Sequence, residues 1–383
     1  MSRRIYIDAR NITASPAGVG RYAQSLVPRL FELASGDRFV VVRHDSNRDP
    51  ILPAPDPRLT EVFVPHHIGK PADFALGAPW LHEVFRAHGH PDVYHNLFHV
   101  TPLGLGRLGA YAPRAVVTLH DLIWIDHPLA SQGSALKAAA MYAYARAAIP
   151  ASLARADHVI CISEPTAKRA ARWLRDGHHT TIPHGVERRY FQPYGPPQTP
   201  ALAGLLRRGT PYVIAVGNDK PYKNLSLLLR AFARDDVPSG AHLVLVGACT
   251  RLDPLIRELD LSSRVHLTGF LSADELCRAL SHAAAFCFPS LVEGFGLPPL
   301  EAMALGTPAL VSDLEPMRSV AGTAALSFDP HDHVTLARLL RGVLTDADLR
   351  ADLRARGLAR AETFTWAKTA RRTLDVYNEV TGG

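Results

Sequence analysis

Cysteine is scarce: Cys161, Cys249, Cys277 and Cys287 are the only four in 383 residues, and no two form a Cys-x-x-Cys pair. That argues against a disulfide framework and for a reducing compartment. Cys161 and Cys287 sit inside apolar runs and read as small core residues. Long apolar runs are missing too. No uncharged stretch reaches membrane-spanning length, and the longest helical candidate, residues 134–155, is interrupted by Lys137, Arg146 and Pro150. The opening MSRRIYIDAR carries two arginines after its first serine, but Asp8 ends the apolar segment too early for a secretion signal. Positive charge is present but not concentrated. The net charge is +6, yet arginine is spread along the chain with no basic run and no nucleic-acid motif, so nucleic acid is not an expected partner. Metal-ligand patterns are weak. His88-x-His90, His95-x3-His99 and His331-x-His333 have no neighbouring cysteine, and His-Glu-x-x-His does not occur, so no metal and no cofactor is expected. What remains is an ordinary globular composition, 47% hydrophobic and 20% charged, in a chain long enough for two cores.

The pattern along the chain alternates short apolar runs with helical periodicity. Strands are predicted over residues 4–8, 39–43, 61–65, 92–95, 115–119, 157–162 and 179–182, with helices over 18–34, 79–88, 134–155 and 164–174. Residues 192–210 hold four prolines and three glycines and read as a linker. The alternation then restarts, with strands predicted over 212–217, 242–247, 264–268, 284–288 and 308–311 and a helix over 225–233. Two successive halves of this kind predict an α/β protein of two Rossmann-like domains, residues 1–195 and 196–383, facing a central cleft. The last segment, about 366–380, has Trp366, Ala370, Leu374 and Tyr377 at helical spacing.

The densest chemistry lies in PSLVEGFGLPPLEAMALGTP, residues 289–308. A buried strand runs into a glycine loop, and Pro298 and Pro299 suit the first turn of a helix. A loop feeding a helix N-terminus favours an anion. Glu293 lies in the loop and Glu301 about two turns into the helix. Two carboxylates beside such a site do not bind phosphate; they suit a hydroxyl-rich neutral ligand that carries one, such as a nucleotide-sugar. The plainer alternative is a strand–loop–helix with a surface acid at each end.

The run Glu293-Gly294-Phe295-Gly296-Leu297-Pro298-Pro299-Leu300-Glu301 resembles the Glu-x7-Glu signature of the retaining GT-B glycosyltransferases of family 4. The resemblance implies that Glu293 approaches the donor hexose and that Glu301 holds the ribose. It also implies that Gly294, Phe295, Gly296 and Leu297 hold sugar and diphosphate. Gly217 to Leu225 resembles the family's phosphate loop, with Lys223 on the donor phosphates. Asn218 stands where that loop usually has arginine, and Lys220 is the nearby cation that would compensate. His120 matches the cleft histidine, and His120-Asp121-Leu122 continuing to Pro128 is similar to members that transfer mannose. Gly18-x-Gly20-x-x-Ala23 has one form of the dinucleotide fingerprint, but nine residues separate it from Asp8, against an NAD site. The family places that loop near the donor diphosphate. Ile162-Ser163-Glu164 and Ile182-Pro183-His184-Gly185-Val186 resemble further family segments, and Ser163 is expected as a helix N-cap. Asp346-Ala347-Asp348 has the Asp-x-Asp form of metal-dependent transferases, but a helix start explains it better.

The resemblance implies metal-independent, retaining transfer of a hexose from GDP-mannose or a UDP- or dTDP-sugar. The acceptor would be a glycan or lipid-linked saccharide, in cell-surface polysaccharide synthesis. It also implies a final helix that returns to the first domain. A GT-B epimerase or phosphorylase, or a non-catalytic nucleotide-sugar binding protein, are the competing readings. The expected location is cytoplasmic. Lys137, Met141, Tyr142, Tyr144 and Arg146, preceded by Arg107 and Arg114, suit peripheral contact with an anionic membrane. Alternatively, Met141 and Tyr144 belong to the core and the charges solvate the other face.

Overall fold

A computed structural model of the chain describes residues 2–13, 18–105, 112–129 and 134–382. Its contacts divide into two units. One comprises Met1–Asp126, Ala139–Gly185 and Thr365–Gly383; the other comprises His127–Ala138 and Val186–Phe364. Arg107 lies outside the described residues, as does the end of the loop predicted before Gly18.

The first unit is built on seven strands: β1 (Arg4–Asp8), β2 (Arg38–His44), β3 (Leu59–Val64), β4 (Val93–Asn96), β5 (Arg114–Leu119), β6 (His158–Cys161) and β7 (His179–Thr181). They form one parallel sheet in the order β3-β2-β1-β4-β5-β6-β7. Parallel strands are covered on both faces, which is why β1, β4 and β6 read as continuous buried runs rather than alternating ones. The order reverses between β1 and β4, so the carboxyl ends of those strands diverge there and leave a crevice. The helix Gly18–Leu33 lays Tyr22, Leu26, Val27 and Leu30 on the sheet at helical spacing.

The final helix, Trp366–Thr381, returns to this unit. Trp366, Ala370, Val376 and Tyr377 share a core with Ile5, Tyr22 and Ile160. Thr369 Oγ1 donates to Pro183 O at 2.8 Å, and Arg3 Nη1 donates to Asn378 Oδ1 at 2.6 Å. Burying its apolar stripe, not helix propensity alone, holds this segment in place.

The second unit repeats the plan with β8 (Tyr212–Val216), β9 (His242–Val246), β10 (Val265–Gly269), β11 (Ala285–Phe288), β12 (Ala309–Ser312) and β13 (Ala325–Phe328). The parallel order is β10-β9-β8-β11-β12-β13, which reverses between β8 and β11. Leu228 and Phe232 are fully buried on the inner face of the helix Leu225–Phe232, against Val213 and Leu243. Asp346 accepts from Leu349 N and caps the helix Ala347–Glu362; Ser163 likewise accepts from Thr166 N.

Three elements differ from the sequence expectation. The segment 192–210 is not all linker: Pro200–Arg207 is helical, with Pro200 at its first position and Leu202 and Leu205 buried. Its prolines and glycines lie mostly outside that turn and hid the short apolar face. The helix predicted from Pro79 begins at Pro71 and runs through Pro79 to His88. Pro79 removes one internal bond, but the same region gains Leu103 N donating to Phe74 O at 2.7 Å. Strand β13 had no sequence signal because it is four residues long and only Ala325 and Phe328 are buried. Among the described residues, no helix is long and apolar enough to cross a membrane.

Candidate active site

In the second unit the loops after β8 and β11 emerge on either side of the strand-order reversal, where open parallel sheets take ligands. They are bound to each other. Leu291 N donates to Tyr222 O at 2.7 Å. Asn224 sits in the left-handed region, with φ 53, and its Nδ2 donates to Pro289 O at 3.0 Å and Pro330 O at 2.8 Å. Asparagine tolerates that backbone and supplies the amide that staples the loops. The staple brings Lys223 Nζ to 2.7 Å from Glu293 Oε1. Only 17% and 14% of these two side chains are exposed. Lys223 Nζ also lies 5.1 Å from the ring centroids of both Tyr222 and Phe288.

Glycine is required at two points here. Gly296, with φ 111, begins the helix Leu297–Ala304, and a Cβ there would stand 2.3 Å from Met317 Cε. Gly247, with φ 113, brings the end of β9 against the loop after β8; a Cβ would meet Gly217 O at 2.0 Å. Phe295 itself is buried, edge-on to Phe364 at 6.0 Å, so its side chain anchors the loop. Leu297 is the first residue of that helix. Glu301 is buried in its second turn, with 4% exposed.

Asn218 does not act as a substitute cation. Its Oδ1 accepts from Lys220 N at 3.1 Å and closes a local turn. Lys220 Nζ lies 5.9 Å from the Tyr222 centroid, so the two lysines of this loop approach the same ring. Asp219 accepts from Arg251 N at 3.2 Å, tying the loop after β8 to the one after β9. A further residue carried no sequence signal: Phe270 follows β10 at the same edge of the sheet and is 85% exposed. A Gly-Phe pair leaving a strand is too common to single out.

In the first unit His120 follows β5 and is buried. Its Nε2 lies 3.0 Å from Leu97 O, so Nε2 carries the proton and donates, leaving Nδ1 as the lone-pair nitrogen. Burial drives its pKa down to about 4, so the ring is neutral at pH 7. It sits in a set of buried imidazoles that sequence reasoning did not assemble. His95 bonds Tyr377 Oη at 2.6 Å and Thr118 Oγ1 at 2.8 Å, and burial lowers it to about 3. His99, packed on Phe98 and Trp124, falls to about 3 for the same reason. His184 stacks on Trp366 and is pushed well below its ordinary value, again chiefly by burial. Tyr22 lies edge-on to His120 at 4.9 Å. Gly18 and Gly20 are in the first turn of the helix Gly18–Leu33; residues 14–17 lie outside the described residues.

At the carboxyl end of β1, Arg10 is fully buried between two acids. Its Nε and Nη2 donate to Asp8 at 2.8 and 2.7 Å, and its Nη1 donates to Asp73 Oδ1 at 2.7 Å. Tyr94 Oη donates to Asp8 Oδ2 at 2.7 Å. This cluster ties β1 and β4 to the helix Pro71–His88. Among the described residues, no group of three or more His, Cys, Asp or Glu is arranged to hold a metal ion.

Comparison with known proteins matches residues 203–360 to the family described as Glycosyl transferases group 1 and residues 16–190 to Glycosyltransferase Family 4. The chain is 32% identical over 177 residues to the serotype-specific mannosyltransferase WbdA of Escherichia coli, covering 44% of this chain and 22% of that one. It is 36% identical over 209 residues to the MMP alpha-(1->4)-mannosyltransferase of Mycolicibacterium hassiacum, covering 52% of this chain and 47% of the relative. The chain thus spans half or less of the length of these curated relatives. Sucrose-phosphate synthase from Thermosynechococcus elongatus superposes with a TM-score of 0.77 at 22% identity, covering 99% of each chain. At that identity the likeness shows a shared GT-B fold.

Proposed function

Since the chain belongs to the glycosyltransferases of group 1 and family 4, we propose that it is a retaining, metal-independent hexosyltransferase. It takes a hexose from a nucleotide-sugar and passes it to a glycan or lipid-linked saccharide in cell-surface polysaccharide synthesis. The observation that carries this reading is the Lys223–Glu293 pair at the strand-order reversal of the second sheet. A cation and an acid 2.7 Å apart suit a donor whose diphosphate and sugar meet at one bond. GDP-mannose is the first donor to test, because the two relatives named above are mannosyltransferases.

The chemistry follows from charge. The bond from the anomeric carbon to the diphosphate oxygen breaks, and the acceptor oxygen bonds to the same face of that carbon. The acceptor's proton passes to the departing diphosphate. Negative charge grows on the diphosphate as the bond lengthens, so Lys223 binds the transition state more tightly than the ground state. Lys220 supplies the second positive charge in place of the usual arginine. Glu293 is released from Lys223 as the diphosphate arrives and turns to the sugar hydroxyls. Glu301 takes the ribose, and Phe270 offers a flat face to the base. In the first unit His120 is the proposed partner of an acceptor hydroxyl, from which its neutral Nδ1 would accept a hydrogen bond. At a pKa of about 4 it is not a general acid at neutral pH.

The test is a thermal-shift screen of GDP-, UDP- and dTDP-sugars, followed by NMR of the anomeric configuration of the product. Retained configuration with a stabilising donor supports the reading. An inverted product sinks the same-face route. Phosphorolysis or epimerisation without transfer would favour the GT-B alternatives, and donor binding without turnover would favour a binding protein.

Cytoplasmic work at the membrane face is part of this proposal. The helix Ala135–Arg155 buries Ala145, Ala148 and Ile149, while Leu136 is 82% exposed beside Lys137. Tyr144 turns partly inward, edge-on to Phe74 at 6.0 Å, and Tyr142 stays outside with Arg146 over its ring. Leu136, Lys137, Tyr142 and Arg146 are exposed, and they are the side chains proposed to meet the membrane. Salt-sensitive co-sedimentation with anionic liposomes, lost on charge reversal at Lys137 and Arg146, is the expected result. No binding at low salt would refute it.

A further inference from the structure

The second unit holds a cavity of about 460 Å³ at the amino edge of its sheet, the edge away from Lys223 and Glu293. Pro211, Ala284 and Pro308, the residues just before β8, β11 and β12, form its floor. Leu206 and Leu344 give apolar walls, and Ser281 and His282 give polar ones. Arg350 and Arg354, four residues apart on the helix Ala347–Glu362, also line it. That spacing puts both guanidiniums on one face.

The charge balance of this cavity is one-sided. No carboxylate lines it. Among the described residues neither arginine is in an ion pair. Arg350 Nη1 donates to Val343 O at 2.9 Å, and Arg354 Nη1 donates to Gly306 O at 3.2 Å. One bond from each fixes the guanidinium and leaves most of its five N–H groups for another partner. The Arg354 guanidinium lies against the Gly306 turn, which limits its positions. Two oriented guanidiniums match the oxygens of a phosphoryl group, which they bind in paired, charge-assisted hydrogen bonds. The volume falls in the range of small-molecule pockets, roughly 300–1,000 Å³, so there is room for carbon atoms beyond the phosphate.

We propose that this cavity binds a small phosphomonoester, with the phosphoryl group on Arg350 and Arg354 and its carbon skeleton against Leu206 and Leu344. The site is separate from the donor loops and does not depend on the transferase reading.

The experiment is calorimetric titration of the full-length protein with inorganic phosphate and with glycerol 3-phosphate. Wild type, Lys223→Ala, the double variant Arg350→Gln/Arg354→Gln, and Ala351→Glu are compared. Ala351 also lines the cavity and is exposed, so a glutamate there adds a repelling charge without removing an existing bond. Binding is expected to survive in Lys223→Ala. It should weaken about tenfold or more in both cavity variants, through lost charge-assisted bonds in the double variant and through charge repulsion in Ala351→Glu. Glycerol 3-phosphate should bind more tightly than phosphate. If the double variant misfolds, Ala351→Glu alone decides. Binding abolished by Lys223→Ala and untouched by Ala351→Glu would place the phosphate in the donor loops and overturn the proposal. Absence of binding in wild type would overturn it as well. Neither outcome refutes hexosyl transfer, which the nucleotide-sugar screen judges separately.

Discussion

Acid should unfold this protein early, because its first unit buries neutral imidazoles. The folded-state pKa values of His95, His99 and His120 are lowered by burial from 6.5 to about 3, 3 and 4. Below the unfolded value the unfolded chain binds a proton at each site and the folded chain does not. Stability is therefore complete well above 6.5 and is lost as pH falls toward the folded values. At about pH 5.5, one unit below the unfolded value, each site costs about 1.4 kcal/mol. The three together cost about 4 kcal/mol relative to pH 7.5, a large share of a typical 5–15 kcal/mol. His184 is shifted in the same direction and adds to the loss. The carboxylates held low by hydrogen bonds, Asp313 and Asp332, do not titrate in this window, since their shifts lie below 3.8. Asp73, whose pKa is raised chiefly by burial, pulls weakly the other way. Urea unfolding at several pH values between about 7.5 and 5.5 measures the slope, which counts protons taken up on unfolding. His99→Phe tests the assignment, because this ring packs on Phe98 and Trp124 and, among the described residues, its nitrogens have no hydrogen-bond partner. The variant should flatten the slope by about one proton, or 1.4 kcal/mol over that interval. Stability that is flat from pH 7.5 to 5.5, or an unchanged slope in His99→Phe, would refute the reasoning.

Lys223→Ala should slow the chemical step by roughly 2–4 kcal/mol in single-turnover assays, with a smaller effect on donor Kd; a raised Kd at unchanged rate would make the lysine a binding group only. Glu293→Gln should cut turnover while sparing nucleoside-diphosphate affinity, and Glu301→Gln should weaken the bare nucleotide. Equal loss of nucleotide binding in both, with turnover intact, would contradict that division. Phe270→Ala should raise the Kd for nucleotide but not for pyrophosphate, read by calorimetry; equal changes for both ligands would remove the ring from base recognition. Arg10→Met should destabilise by about 3–5 kcal/mol in urea, because it strands Asp8 and Asp73 as buried acids without a cation; a cost below about 1 kcal/mol would contradict that dependence.

The sequence by itself carried most of what depends on near neighbours. The alternation of apolar runs and helical stripes announced two parallel α/β units, since burial on both faces and a 3.6-residue stripe leave their marks within ten residues. The Glu293–Glu301 spacing, the two glycines between them and the prolines at the helix start are equally local. So are the Ser163 and Asp346 caps. The short helix Pro200–Arg207 and the strand Ala325–Phe328 escaped because each offers only two or three buried side chains.

Tertiary structure decided the contacts between distant positions. Lys223 meets Glu293 across 70 residues because the strand order places β8 beside β11. Arg10 meets Asp73 across 63 residues, and His95 meets Tyr377 across 282. Histidine burial belongs to the same class. Nothing in the residues beside His95, His99, His120 or His184 foretells a neutral ring, because the desolvation that lowers each pKa comes from Tyr22, Trp366, Tyr377 and other elements that arrive only when the sheet and the last helix have closed. Local pattern selects the elements; the order in which the strands pair, which minimises exposed apolar surface over the whole unit, selects which side chains meet.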